Sequence, residues 1–531
     1  VSGISQYSGP FGKKELVHLL KRTMFGAKPT DIAYFEGKAL NQVVELLLDP
    51  EDPHPEPPIK EYNTNNATVP DDHILQGTTW VDDITADGTI NSRRRNSYRK
   101  WFTGVLINQD RSILEKMTMF WINHFGTEAT VVGQGNFLYY HNKLIRTHAL
   151  GNFKTMVDLV TKDCLMLRYL NGYLNRRQAP DENYARELQE LFTVGKNLGE
   201  SGYNEDDVVA AARVLTGWRI NNATHQSYFQ LSWHDTADKQ FSSFYNNAII
   251  YGNATQDAGQ IELDALLNMI FAQDEVARHI VRKLYRWFVY YEITPEIEDN
   301  VISPLADTFR NNNYDIKPML RQLFMSEHFF DPVISIGAVI KSPVDFLIAA
   351  LREWEVGFPD TSDWQRNYTF FNTIHGQLVL GGQPLHDPGS VAGYAPYYQA
   401  PQYHGMWLNA STYPLRKLLT DRMLANGYSS SGFRIIFDVV SYTEKISDAD
   451  DPNKLIDNIL TRFYCIDLLP ETKQQIKTEI LLSGQSEDFY WTNAWQNYLN
   501  DPANTSNLNI VKLRLTLLYQ RIMNLEEYQL S

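Results

Sequence analysis

Apolar residues recur three and four positions apart through "KKELVHLLKRTMFG", "ALNQVVELLL", "SILEKMTMFWINHF", "NFKTMVDLVTKDCLMLRYL", "EDDVVAAARVLTGW" and "DEVARHIVRKLYRWFVYY". At 3.6 residues per turn this spacing gathers them on one face and predicts amphipathic helices, so the chain reads as a mainly α, multi-helix globular body. Helix starts are legible too. Asn204 precedes "EDDVVAAARVL", where its amide can cap while Glu205, Asp206 and Asp207 lie in the first turn against the helix dipole.

Three stretches break the pattern. Residues 51–92 are rich in Pro, Asn, Asp and Thr and predict a long surface excursion with a turn at Asp87–Gly88. Residues 222–253 alternate polar and aromatic positions, which suits a small β-hairpin carried on the helical body. Residues 357–411 are dense in Gly, Pro and Tyr, and helical periodicity resumes from 412 to 523. The expected organisation is a body over 1–335 that carries the hairpin and a helical part over 336–531 that carries the loop, packed on each other as one unit.

Composition narrows the function. The 531 residues are 43% apolar and carry 48 basic against 63 acidic side chains, a formal charge of −15 that repels phosphate backbones and anionic lipid surfaces. Nucleic acid is therefore not an expected partner. The one compact basic run, Arg93, Arg94 and Arg95 with Arg99 and Lys100, reads as a solvated helix face. Two cysteines, Cys164 and Cys465, give no disulfide framework or thiolate metal site and read as buried small residues. No apolar run reaches the roughly 18 residues that span a bilayer, and the sequence opens at Val1 without a basic-then-apolar stretch, which leaves the compartment open because numbering can begin after processing.

Candidate chemistry centres on "DENYARELQELFTVG", residues 181–195. As a helix it places Asn183, Arg186, Glu187 and Glu190 on one stripe beside an apolar stripe of Tyr184, Leu188 and Leu191, which predicts a polar stripe facing the interior. With His124 and His148 upstream, Glu187 and Glu190 could form a carboxylate–histidine centre for acid–base work or a divalent metal, as facing helices do in bundles. No Glu-x-x-His pair or His-Glu-x-x-His motif supports it, and a buried ion-pair network is the plainer alternative. His234 and Asp235 in "SWHDTADKQF" form a second candidate for proton transfer, against a capping or turn role. The third is "PLHDPGSVAGY" with Tyr394, Tyr397, Tyr398, Tyr403, His404 and Trp407, whose rings either dock a sugar or protein partner or roof the helical core. The sequence lacks a G-x-S-x-G elbow, a phosphate loop and a dinucleotide fingerprint.

In order along the chain, "HLLKRTMFGAKPTDI", "EKMTMFWINHF", "IRTHALGNFKTMVDLVTKD", "DENYARELQELFTVG", "VVAAARVLTGW", "ARHIVRKLYRWFV", "NYDIKPMLRQLFMSEHF", "KSPVDFLIAALR" and "GQPLHDPGSVAGY" resemble the blocks of a bacterial family known as domain of unknown function number eighteen hundred. The tyrosine-rich "YAPYYQAPQYHGMWLNASTYPLR" looks like the variant common in Bacteroidota members. Asp181 stands where the family often has Asn, and Tyr394 where it often has Trp. The resemblance implies a mainly helical protein exported to the periplasm or cell surface, often encoded beside a sulfatase-like protein. It implies no reaction.

Two functions follow as expectations. One is a binding or assembly partner of the sulfatase-like neighbour or of a surface glycan, through the aromatic loop at 386–407. The other is an envelope enzyme using His124, His148, Glu187, Glu190, His234 and Asp235, with a divalent metal as its candidate cofactor.

Overall fold

A computed structural model describes residues 2–50, 54–195 and 202–531. Helices dominate it, and the β-structure among the described residues is three two-stranded antiparallel ribbons. One continuous set of buried apolar side chains runs from Leu16 to Tyr528. The periodic segments are its helices: Lys13–Thr23, Leu114–His124, Glu205–Val214 and Asp274–Phe288 all bury the apolar stripes that the spacing predicts.

Caps behave as the local chemistry requires. The Asn204 side chain accepts from Asp207 N at 3.2 Å, and Asp207 Oδ2 accepts from Asn204 N at 2.9 Å, closing a capping box. Asp87 does not make a turn. Its Oδ1 accepts from Thr89 N and Ile90 N at 2.8 and 3.0 Å, so it starts the helix Gly88–Ile107, because a short carboxylate in extended backbone is as good a helix cap as a turn former.

The single hairpin expected at 222–253 is two ribbons. Trp218–Asn221 pairs with Gln226–Phe229, and Lys239–Gln240 pairs with Ile249–Ile250. A third ribbon, Tyr428–Ser430 with Phe433–Ile435, interrupts the helices of the last part of the chain.

Two long helices position the surface described next. The 88–107 helix packs along the helix Trp364–Leu380, and Gly104 permits the approach: a Cβ there would stand 2.6 Å from the Phe371 ring. The "PLHDPGSVAGY" loop then closes on the end of the 114–124 helix. Gly393, at φ +93°, brings its Cα against Asn123, whose Oδ1 accepts from Tyr394 N at 2.8 Å. Among the described residues no helix is long and apolar enough to cross a membrane.

Candidate functional site

The quoted helix begins as Asn183–Glu187 and continues as a π-helical turn, Leu188–Phe192. Its polar stripe is not interior, contrary to the expectation from sequence. Asn183 is exposed, while Arg186, Glu187 and Glu190 are half-buried. The Arg186 guanidinium reaches Glu182 at 3.1 Å and also pairs with Glu205 of the next helix, an ion pair at the surface. Spacing alone cannot tell a stripe that faces the core from one that faces a neighbouring helix's polar end.

His124 is fully buried. Its Nε2 lies 3.2 Å from the carbonyl of Phe192, at the end of the π turn, and the rings of Phe120, Trp121, Phe125, Phe153 and Phe192 surround it. Burial, with the charges of Lys283 and His279, pushes its pKa well below 6.5, so it is a neutral core imidazole. His148 is the half-buried last residue of the helix Gly135–His148. Among the described residues no three His, Cys, Asp or Glu side chains are placed to hold a metal ion.

His234 and Asp235 part company, as neighbours in extended backbone do. His234 is buried with its Nε2 3.0 Å from Glu262, which also takes Lys239, and its Nδ1 lies 2.9 Å from Thr216 O. Asp235 turns outward to Arg213 Nε at 2.7 Å. Burial raises the Asp235 pKa, but the hydrogen bonds from Arg213 and Ala237 N outweigh it and hold the carboxyl below its usual range.

The aromatic loop is covered by the chain's own residues. Tyr394 and Trp407 are buried, Tyr397 packs on Trp287 at 4.3 Å between ring centres, and Tyr403 stacks on Tyr291 at 5.3 Å. Of the six rings named from sequence Tyr398, 40% exposed, faces out. The other five pack against the chain itself.

What the sequence did not single out is a polar spine through that core. Glu115 takes a two-pronged ion pair from Arg146, at 3.1 Å from Nε and 2.6 Å from Nη2, and Arg146 Nη1 donates to Asn142 Oδ1. This orients the amide, so Asn142 Nδ2 donates to the Tyr98 hydroxyl at 3.0 Å. The Tyr98 proton is then directed at His386 Nδ1, 2.7 Å away, which leaves Nε2–H to donate to Thr127 Oγ1 at 2.9 Å. Burial, then the charges of His141 and Arg99, press the His386 pKa well below 6.5, consistent with a neutral ring carrying one proton. His386 adopts φ +57°, a left-handed conformation costly for a residue with a Cβ.

Two groups flank the spine. The His141 ring lies 5.5 Å from that of His386, and its Nδ1 is 2.9 Å from Asp163 Oδ2. Beyond it Tyr169 donates to Glu128 at 2.8 Å; burial, that bond and the charges of Glu128, Glu187 and Asp387 raise its pKa. The basic run is no solvated face. Arg94 is buried against Asp71 at 3.1 Å, Arg99 holds Asp387 at 2.9 Å, and Lys100 holds Glu61.

The spine opens at its Glu115 end on a cleft of about 510 Å³ between the 88–107 helix, the segment 55–59 and residues 358–371. Trp101, Trp364, Tyr368 and Phe371 are among its walls. A smaller chamber of about 200 Å³ continues past Trp101 and touches Arg146. Trp101 Nε1 donates to Glu56 O at 2.6 Å, which fastens the 54–59 strap across the boundary.

A mainly helical chain whose buried polar network opens on an aromatic cleft is thus the class of protein that the fold defines. The family model described as "Protein of unknown function (DUF1800)" matches residues 18–530, and the chain belongs to that family. No curated protein and no solved structure matches it.

Proposed function

We propose that the chain is a binding protein of the cell envelope that holds a glycan, and that it does so in the cleft beneath the 54–59 strap rather than through the 386–407 loop. One observation carries this reading. All of the loop's rings but Tyr398 pack against the chain itself, whereas Trp101, Trp364, Tyr368 and Phe371 border a volume of about 510 Å³, within the size range of small-molecule sites. The interior polar groups favour binding over turnover: Arg146 is paired with Glu115, and the rings of His141 and His234 lie against Asp163 and Glu262. Export and a sulfatase-like neighbour come from the family resemblance alone.

Equilibrium dialysis of the full chain against envelope glycan fragments, read by mass spectrometry, tests the proposal. Fragments retained at unchanged mass support it. Shortened or desubstituted fragments would make the chain an enzyme, and retention of the sulfatase-like protein without any glycan would make it an assembly partner.

A further inference from the structure

We propose that the strap-covered cleft is built for a neutral, polyhydroxylated pyranose chain; this rests on the binding function above and gives it a substrate class. Three features of the cleft select the ligand. The first is its aromatic lining. Trp101, Tyr368 and Phe371 are at most 8% exposed, so they form a rigid wall, and the half-buried Trp364 stands at the mouth. A pyranose ring offers a C–H face that packs on such rings, with its hydroxyls projecting around the edge.

The second is a pair of unsatisfied amide groups. Gln109 and Asn367 both line the cleft and are 9% and 7% exposed. Gln109 Nε2 and Asn367 Oδ1 have no hydrogen-bond partner among the described residues, although the other end of each amide is used: Gln109 Oε1 by Phe25 N, and Asn367 Nδ2 by the carbonyls of Pro359 and Asp360. Both atoms are shut off from solvent behind the lining, so an amide has to turn toward the cleft to offer a ligand hydroxyl its spare donor or acceptor, and neither suits a quaternary ammonium ion.

The third is charge. Glu56, Asp110 and Glu115 line the main cleft, and Lys143 with Arg146 lines the smaller chamber. Arg146 is already held by Glu115, so the cleft presents no surplus of positive charge and disfavours an anionic sugar. Both chambers share Trp101 and the strap residues Pro55, Glu56 and Pro57 as walls.

The test is titration of the full chain with neutral tetrasaccharides of glucose, mannose and N-acetylglucosamine, and with choline and a tetrauronic acid, followed by tryptophan emission and calorimetry. A neutral tetrasaccharide should bind, and Trp364→Ala should weaken it about tenfold or more while Tyr398→Ala leaves it unchanged. Thr361 lines the cleft and is exposed, so Thr361→Trp serves as a second blocking variant should Trp364→Ala fail to fold. Saccharide binding that survives both cleft variants overturns the site and leaves the binding function standing. Preference for choline or for the tetrauronic acid overturns the ligand class. Failure of every saccharide here, with glycan fragments still retained in dialysis, overturns the neutral-pyranose assignment alone; failure in both removes the binding function as well.

Discussion

The Tyr98 hydroxyl lies 2.7 Å from Nδ1 of His386, a contact between residues 288 positions apart that joins the 88–107 helix to the loop after the 364–380 helix. Because Asn142 donates to the same hydroxyl, its proton has one direction left, and the imidazole tautomer follows from it. Removing that oxygen should be felt at both ends. Tyr98→Phe is expected to cost about 1–3 kcal/mol by leaving Asn142 Nδ2 and His386 Nδ1 buried without partners. Urea unfolding measures it, and a variant as stable as the parent would show that the spine contributes nothing.

The two arginine pairs should differ in worth. Arg146 and Glu115 have side chains 2% and 7% exposed, so Glu115→Ala strands a buried guanidinium and should cost about 3–5 kcal/mol. Arg186 and Glu205 are 31% and 65% exposed, and Arg186→Ala should cost under about 1 kcal/mol. Denaturant midpoints of the two variants, compared at one pH, decide it; equal losses would contradict the burial difference.

Acid should destabilise the fold through histidines. Burial lowers His18 and His279 from 6.5 to about 3, so both stay neutral in the folded chain while the unfolded chain binds their protons below about 6.5. Their contribution is complete above that pH and is lost as pH falls toward 3, at about 1.4 kcal/mol per pH unit for each. Unfolding followed from pH 7 to 5 should show this slope, and His279→Gln should remove one histidine's share. A flat profile would contradict their neutral burial.

Gly104→Ala probes the cleft wall. The added methyl would stand 2.6 Å from the Phe371 ring, so the ring and the 364–380 helix that carries it are expected to shift, at about 1–3 kcal/mol for an overpacked contact. Tetrasaccharide affinity should fall with it. A variant that melts with the parent would show that Phe371 yields without moving its helix.

Helices were legible because apolar spacing is local: the 274–288 and 205–214 helices are visible in a dozen letters. Sites were not, because their partners are distant. His234 was readable as a proton-transfer candidate beside Asp235, yet its carboxylate is Glu262, 28 positions on, since adjacent side chains point apart. The stripe of Arg186 and Glu187 has the right period, but a period does not say what lies opposite it. His386 stood in a quoted motif, "PLHDP", and its left-handed backbone and the Tyr98 contact belong to tertiary structure alone. The Arg93–Lys100 run misled in the same way, because Glu61 and Asp71 come to it from the stretch before its helix and Asp387 from the loop after the 364–380 helix.

Trp101 belongs to both chambers and also carries the bond that fastens the strap at Glu56. Such a shared wall makes the two halves of the cleft heritable as a unit. A substitution at position 101 alters both chambers and the strap together, so a lineage that changes its ligand must do so first at single-chamber positions such as Trp364 or Lys143, and related chains should vary at those positions while position 101 keeps a large ring with an N–H.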